Sequence, residues 1–232
     1  MNDSFIQKLK WDTDFWGVNI YNLRNINEFD IQTFLYSNKN KLLIQALVCE
    51  NEISLIEGIT DVRFNFCESK VTLIKDVLSV KELEEKYFKK IEIFELENIK
   101  NDFFELFGKN SRYSIFGKEK INEFYYTWVI NSIVGKMDDE CYGYYIDNDL
   151  AGFITFSYKD YNLSIGLLGV LPKFQKRGVA QKMLDFVNNI AFKKKLTKIS
   201  VSTQGKNVTA LNVYIKNGYL MENIKYWYYF FN

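Results

Sequence analysis

Two short stretches of this 232-residue chain carry groups that could bind and react with an anionic, activated ligand. The first is "GVLPKFQKRGVAQKML" (Gly169 to Leu184), which holds the only proline of the chain. Pro172 cannot continue a strand ladder, so the strand-like run ending at Leu171 stops there, and a helix-like run opens about five residues later. A helix start offers unpaired N–H groups and the positive end of the dipole, a natural seat for phosphate. Gly178 would let a ligand reach the backbone with no Cβ in the way, small Ala180 keeps the first turn open, and Lys173, Lys176 and Arg177 add positive charge. The run suits a pyrophosphate, although a solvated turn with clustered charges fits the same residues. A dinucleotide fold fits poorly, because G-x-G-x-x-G after a first strand is missing. The second stretch is "NVTALNVYIKNGY" (Asn207 to Tyr219). Seven residues separate Asn207 from Tyr214, two helical turns to within about 20°, so both face one way with small Ala210 between them. An amphipathic helix whose tyrosine packs on the core fits this stretch too.

Histidine is absent. That removes the commonest general base and metal ligand and every Ser-His or Cys-His mechanism, leaving Tyr, Asp, Glu, Lys, main-chain groups and water. Cys49, Cys67 and Cys141 are odd in number with no Cys-x-x-Cys pair, so no disulfide framework or metal site is expected and a reducing cytoplasm is. Thirty cations against 29 anions leave a net charge of +1, which gives no general pull on nucleic acid or anionic lipid; any anion site must be local. No apolar run reaches the roughly 18 residues of a membrane span, the start does not read as a signal peptide, and "YWYYFF" (Tyr226 to Phe231) reads as a buried final strand.

These groups need elements to hold them. The first third reads as strand "GVNIYNLRNI", helix "EFDIQTFLYSN", strand "KLLIQALVCE", strand "ITDVRFNF" and the charged, helix-spaced "VKELEEKYFKK". A boundary is expected near Lys90, where "IEIFELE" reads as a strand, dividing residues 1–89 from 90–232. Two amphipathic helices follow, "IKNDFFELFG" and "KEKINEFYYTWVINSIVG", with the loop "KNSRYSIF" between them. Strands "ECYGYYID", "LAGFITFSY" and "LSIGLLGVL" are joined by turns at Asp147–Asp149 and Lys159–Asn162. A helix from Arg177, the strand "KISVSTQ", a helix from Asn207 and a last strand from Tyr219 complete the chain. The fold class expected is α/β, with a mixed, mostly antiparallel sheet flanked by helices. Gly166 and Gly169 inside their strand suggest a bulge or a close backbone approach.

Together the two stretches resemble the loop and helix motifs of the GNAT N-acetyltransferases. The loop pattern Arg/Gln-x-x-Gly-x-Gly/Ala stands as Gln175 to Ala180, and Asn-x-x-Ala-x-x-x-Tyr-x-x-x-Gly-aromatic stands complete from Asn207 to Tyr219. The runs "FWGVN", "EGITD", "SRY", "IGLL", "VSTQ", "ALNVYI" and "YWYY", in that order, resemble the sugar-nucleotide branch, which acetylates a dTDP-linked amino-dideoxysugar. The resemblance implies a GNAT fold, acetyl-CoA as co-substrate and no metal. Its pantetheine arm would pair with the strand around Leu168 and Val170. The amides of Gln175, Lys176, Arg177, Gly178, Val179 and Ala180 would hold the pyrophosphate, and Asn207 would lie beside the cofactor. Tyr214 would be the general acid. "LSIGLLGV" and "ISVSTQ" carry no carboxylate, so the base is a water relay, with Glu57 and Asp61 as outside candidates. Arg112 would clamp the diphosphate with Tyr113 beside the base or sugar, although an exposed loop arginine is an even alternative. The N-terminal part would face the acceptor. Partners are then the two substrates, with no nucleic acid or membrane and with a homodimer compatible. Competing readings are a GNAT acting on a protein N-terminus, amino acid or polyamine, and a non-catalytic acetyl-CoA-binding module.

Overall fold

The computed structural model describes residues 5–60, 62–108 and 111–232, so Asp61 lies outside the described residues. The chain forms two compact units, one of Met1–Val71, Gln204–Lys206 and Ile224–Asn232, the other of Thr72–Thr203 and Asn207–Asn223.

In the first unit, β1 (Ile6–Lys8), α1 (Lys10–Trp16), β2 (Asn19–Leu23), α2 (Glu28–Ser37), β3 (Leu42–Val48) and α3 (Ile53–Glu57) precede the start of β4 (Asn65–Asp76). Asn27 caps α2 by accepting the Asp30 N–H at 3.2 Å, and α2 carries β2 into a parallel neighbour, β3. The end of the last strand, β10 (Leu220–Phe231), runs antiparallel to β3, from Tyr226↔Val48 to Phe231↔Leu43. Ile31, Leu42, Ile44, Ala46, Val48, Ile56 and Tyr228 form its core.

The second unit contains β5 (Phe88–Lys90), α4 (Ile93–Glu97), α5 (Phe103–Phe107), α6 (Lys118–Ile133), β6 (Glu140–Ile146), β7 (Asp149–Lys159), β8 (Asn162–Val170), α7 (Val179–Lys193), β9 (Lys198–Gln204) and α8 (Val208–Lys216). Its strand order is β9-β8-β7-β6-β5, antiparallel except for the β8–β9 pair. Asp147 and Asn148 both have positive φ (52° and 68°), the primed-turn geometry that suits the twist of a hairpin. The fold class is therefore the expected one, mixed α/β with a mostly antiparallel sheet.

Three local expectations are corrected. "ITDVRFNF" is not a strand: β4 begins at Asn65, and Ile59, Val62 and Phe64 enter the first core from a loop. "VKELEEKYFKK" is not a helix. Its only turn is Glu85–Tyr87, and Phe88 starts β5 with its ring stacked on Phe186 at 4.1 Å. Buried Asn189 of α7 holds the Lys81 main chain on both sides, accepting its N–H at 2.7 Å and donating to its carbonyl at 2.8 Å, which fixes the segment extended. "IEIFELE" is not a strand but α4. The Glu95 carboxylate accepts the Glu92 N–H at 2.8 Å, and this cap outweighs the β-branched residues.

Candidate functional site

The central feature of the second unit is a break in the pairing of β8. Its parallel register with β9 ends at Ile165↔Val201, while β8 continues through Gly166–Val170. Its register with β7 slips at the same place: Phe156 faces Ile165 and Ile154 faces Leu168, so Thr155 stands opposite both Gly166 and Leu167. That is a β-bulge, with one extra residue on β8.

Beyond the bulge the direction of each main-chain group follows from antiparallel alternation. Leu171 N–H donates to Ala151 O at 3.0 Å, so the hydrogen-bonded pairs are Leu171 with Ala151 and, two residues back, Gly169 with Phe153. Leu168 and Val170 fall between them and turn their N–H and C=O groups away from β7. The Val170 carbonyl bears this out, since it accepts from the Gln175 carboxamide at 3.1 Å. An open strand edge of this kind can take an extended, amide-bearing ligand as a further strand.

The turn that follows is shaped for an anion. Lys176 and Gly178 have positive φ (61° and 76°), and Gly178 is the residue from which α7 starts. The first main-chain bond of α7 runs from Lys182 N–H to Gly178 O at 3.1 Å, so Val179, Ala180 and Gln181 lead with free amides, as helix starts do. A Cβ on Gly178 would meet nothing within 4 Å, so the approach is open. Lys173 is engaged elsewhere, 2.8 Å from Asp149, whereas the Arg177 guanidinium sits 5.7 Å from the Phe174 ring.

On α8, Asn207 is the N-cap: its side chain accepts the Ala210 N–H at 3.2 Å. Gly218 (φ 83°) ends the helix, where an αL residue is required. Tyr214 is buried at 6% exposure, and burial alone raises its phenol above the usual tyrosine range. Its hydroxyl bonds to none of the described residues, so its proton is uncommitted.

Arg112 and Tyr113 also lie in the second unit. The Arg112 guanidinium stacks 4.2 Å from the Tyr113 ring and donates to its hydroxyl. Tyr113 itself is 3% exposed, packed on Phe116 and Phe124. Glu57 belongs to the first unit, where its carboxylate accepts the Tyr228 hydroxyl at 2.6 Å. That bond and, before it, burial push the Tyr228 phenol up to about 12. The β8 edge, the Gln175–Ala180 turn, Asn207, Tyr214 and Arg112 all belong to the second unit, and Glu57 belongs to the first.

Sequence reading misses Asp138, a carboxylate 8% exposed beneath the bulge. Its Oδ2 accepts from Trp128 Nε1 (2.9 Å), Ser132 Oγ (3.0 Å) and Thr155 Oγ1 (2.6 Å), and its Oδ1 accepts from Ser157 Oγ (3.1 Å). The available signal is faint: polar donors at i and i+4 on α6 and at i and i+2 on β7, each pair on one face.

Comparison with known proteins fits this geometry. The model of the Acetyltransferase (GNAT) family matches residues 94–219. The dTDP-fucosamine acetyltransferase of Escherichia coli O6:H1 is 24% identical over 231 residues, covering 97% of each chain. A streptothricin acetyltransferase of Escherichia coli is 34% identical over 88 residues, 38% of this chain and 51% of that one. Among solved structures, a functionally unknown conserved protein from Staphylococcus epidermidis superposes with a TM-score of 0.66 at 16% identity, over 100% of this chain and 93% of that one. A GCN5-related N-acetyltransferase from Sphaerobacter thermophilus gives 0.63 at 11% identity, over 97% and 76%. These likenesses are of fold. Among the described residues no helix is long and apolar enough to cross a membrane.

Proposed function

This chain belongs to the acetyltransferase (GNAT) family, whose enzymes use acetyl-CoA, and we propose that it acetylates the amino group of a dTDP-linked amino-dideoxyhexose. The observation that carries the substrate class is the similarity to dTDP-fucosamine acetyltransferase along 97% of both chains, well beyond the 94–219 span of the family match. A bare catalytic core needs only about 150 residues, an ordinary domain size, which leaves residues 1–89 to serve the acceptor.

In this reading the pantetheine arm lies along Leu168 and Val170, whose main-chain groups turn away from β7, and the pyrophosphate rests on the amides from Gln175 to Ala180. Asn207 supports the cofactor indirectly, by capping the helix that carries Tyr214. The neutral acceptor amine attacks the thioester carbonyl; a C–N bond forms and the C–S bond breaks. The oxyanion is met by the Leu168 amide just past the bulge, in a low-dielectric site where such a donor is strong. The departing thiolate takes the Tyr214 proton, and the amine's surplus proton leaves through water, which returns one to Tyr214, because neither β8 nor β9 carries a carboxylate. Arg112 meets the acceptor diphosphate and Tyr113 holds that guanidinium in place. An enzyme of this kind works in the cytoplasm and feeds bacterial surface-polysaccharide synthesis.

The test is thiol release from acetyl-CoA against dTDP-4-amino-4,6-dideoxygalactose, its gluco and 3-amino counterparts, streptothricin, a polyamine and an N-terminal peptide. Turnover on a dTDP-amino sugar at least tenfold above every other acceptor is expected. Streptothricin is included because of the 34% match over 88 residues. Preference for it, for the polyamine or for the peptide would overturn the sugar-nucleotide assignment.

A further inference from the structure

We propose that Asp138, acting through Thr155, is a positioning residue that holds the β8 bulge in the shape that presents the Leu168 amide; this rests on the reading that acetyl-CoA binds along β8. A bulge leaves one strand residue without a ladder partner. Here Gly166 and Leu167 together stand opposite Thr155, and the Leu167 N–H goes to the Thr155 hydroxyl at 2.9 Å instead of to a carbonyl. With its oxygen accepting that bond, Thr155 directs its single proton to Asp138 Oδ2 at 2.6 Å. The relay therefore runs one way, from amide to hydroxyl to carboxylate. The anion at its end strengthens both links, because charge-assisted bonds are shorter and stronger than neutral ones.

The carboxylate is fixed from two sides, by Trp128 and Ser132 of α6 and by Thr155 and Ser157 of β7. Thr155 is fully buried, so water does not compete for the relay. Gly166 completes the fit. A Cβ at that position would fall 2.8 Å from Asp138 Cγ, so glycine stands in the bulge because the carboxylate fills the space. Removing the Thr155 hydroxyl leaves both the Leu167 amide and the carboxylate short of a buried partner, and an unmet buried group drives rearrangement. Rearrangement at Leu167 turns its neighbour, Leu168, whose amide faces the thioester.

Calorimetric affinities for acetyl-CoA and for CoA report on this role, because the two ligands differ only at the acetylated sulfur, where the thioester oxygen meets the bulge amide. Comparing variants with wild type cancels the contribution of the methyl group and the thiol. The wild-type protein should bind acetyl-CoA roughly three- to tenfold more tightly than CoA, the worth of one hydrogen bond. Thr155→Val should bring the ratio near one with CoA affinity held within about threefold, and Thr155→Ser should restore it. Gly166→Ala, which displaces the carboxylate but spares the hydroxyl, should lose the preference too, and it decides the matter if Thr155→Val does not fold. A wild-type ratio kept in the folded variants would overturn the proposal, as would a wild-type protein that binds both ligands alike. A wild-type protein that binds neither ligand would instead defeat the acetyl-CoA reading on which the proposal stands.

Discussion

The rings of Tyr214 and Tyr219 lie 5.6 Å apart at 60°, both buried, but only Tyr219 has its hydroxyl enclosed with no hydrogen-bond partner among the described residues. The pair offers an internal control. Tyr214→Phe should lower kcat about 10²-fold, the usual range for a positioned proton donor, with acetyl-CoA affinity unchanged. Tyr219→Phe should leave kcat alone and raise stability by up to ~1 kcal/mol, because it deletes an unsatisfied buried group. Since burial raises the Tyr214 phenol, that residue keeps its proton and adds no alkaline limb to kcat below about pH 10. Steady-state kinetics with saturating dTDP-amino sugar and urea unfolding of each variant check this; near-normal kcat in Tyr214→Phe would remove the acid role.

The turn before α7 makes a second test. Gly178→Asp places a carboxylate where the pyrophosphate would rest, so acetyl-CoA binding should fall beyond calorimetric detection. Its Cβ meets nothing within 4 Å, and the remaining cost is the αL backbone, about 1–2 kcal/mol and less for Asp. The variant should therefore fold, with a native circular-dichroism spectrum. Unchanged affinity in that folded variant would end the pyrophosphate assignment.

Arg112 and Tyr113 separate contact from support. Arg112→Ala should raise the KM for the dTDP-amino sugar tenfold or more, the equivalent of ~1.5–3 kcal/mol for a charged hydrogen bond, and leave acetyl-CoA affinity intact. Tyr113→Phe, which removes only the hydroxyl that Arg112 holds, should raise the same KM by less than half that factor. Equal acceptor KM values for wild type and Arg112→Ala would return the arginine to a loop role.

Alkaline stability should report on Cys141. Burial first, and the Asp138 charge second, push its thiol up to about 12. A folded pKa above the unfolded one gives stability that is whole below the ordinary thiol value, near ~8.5–9, and lost as pH climbs towards 12. The urea midpoint should fall between pH 9 and 11, and Cys141→Ala should flatten that fall while lowering the midpoint at pH 8. Parallel pH curves for the two proteins would show that Cys141 contributes nothing to it.

From Asp147 onward the chain is legible, because local chemistry and tertiary fold agree there. Pro172 stops β8, Gly178 and Gly218 bound α7 and α8, and the turn at Asp147–Asn148 announces its hairpin. Residues 80–97 are not legible. Two asparagines of α7 hold residues 79–81 extended, and Phe186 draws Phe88 into a strand, so partners about a hundred positions away override the helical spacing. The bulge is hinted at by Gly166 and Gly169. Asp138, which packs beneath it, sits in a loop and gains its donors only when α6 and β7 converge on it.

The unfinished pairing between β8 and β9 also joins ligand supply to the survival of the folded chain. Any molecule that hydrogen-bonds to Leu168 and Val170 completes secondary structure, so in mass-action terms it counts as part of the fold. At one hundred times its dissociation constant it adds about 2.7 kcal/mol, a large share of a typical domain's margin. It also shields main-chain groups that could otherwise recruit a stray strand from another molecule. With acetyl-CoA lying there as proposed, its concentration would set how stable the protein is as well as how fast it works.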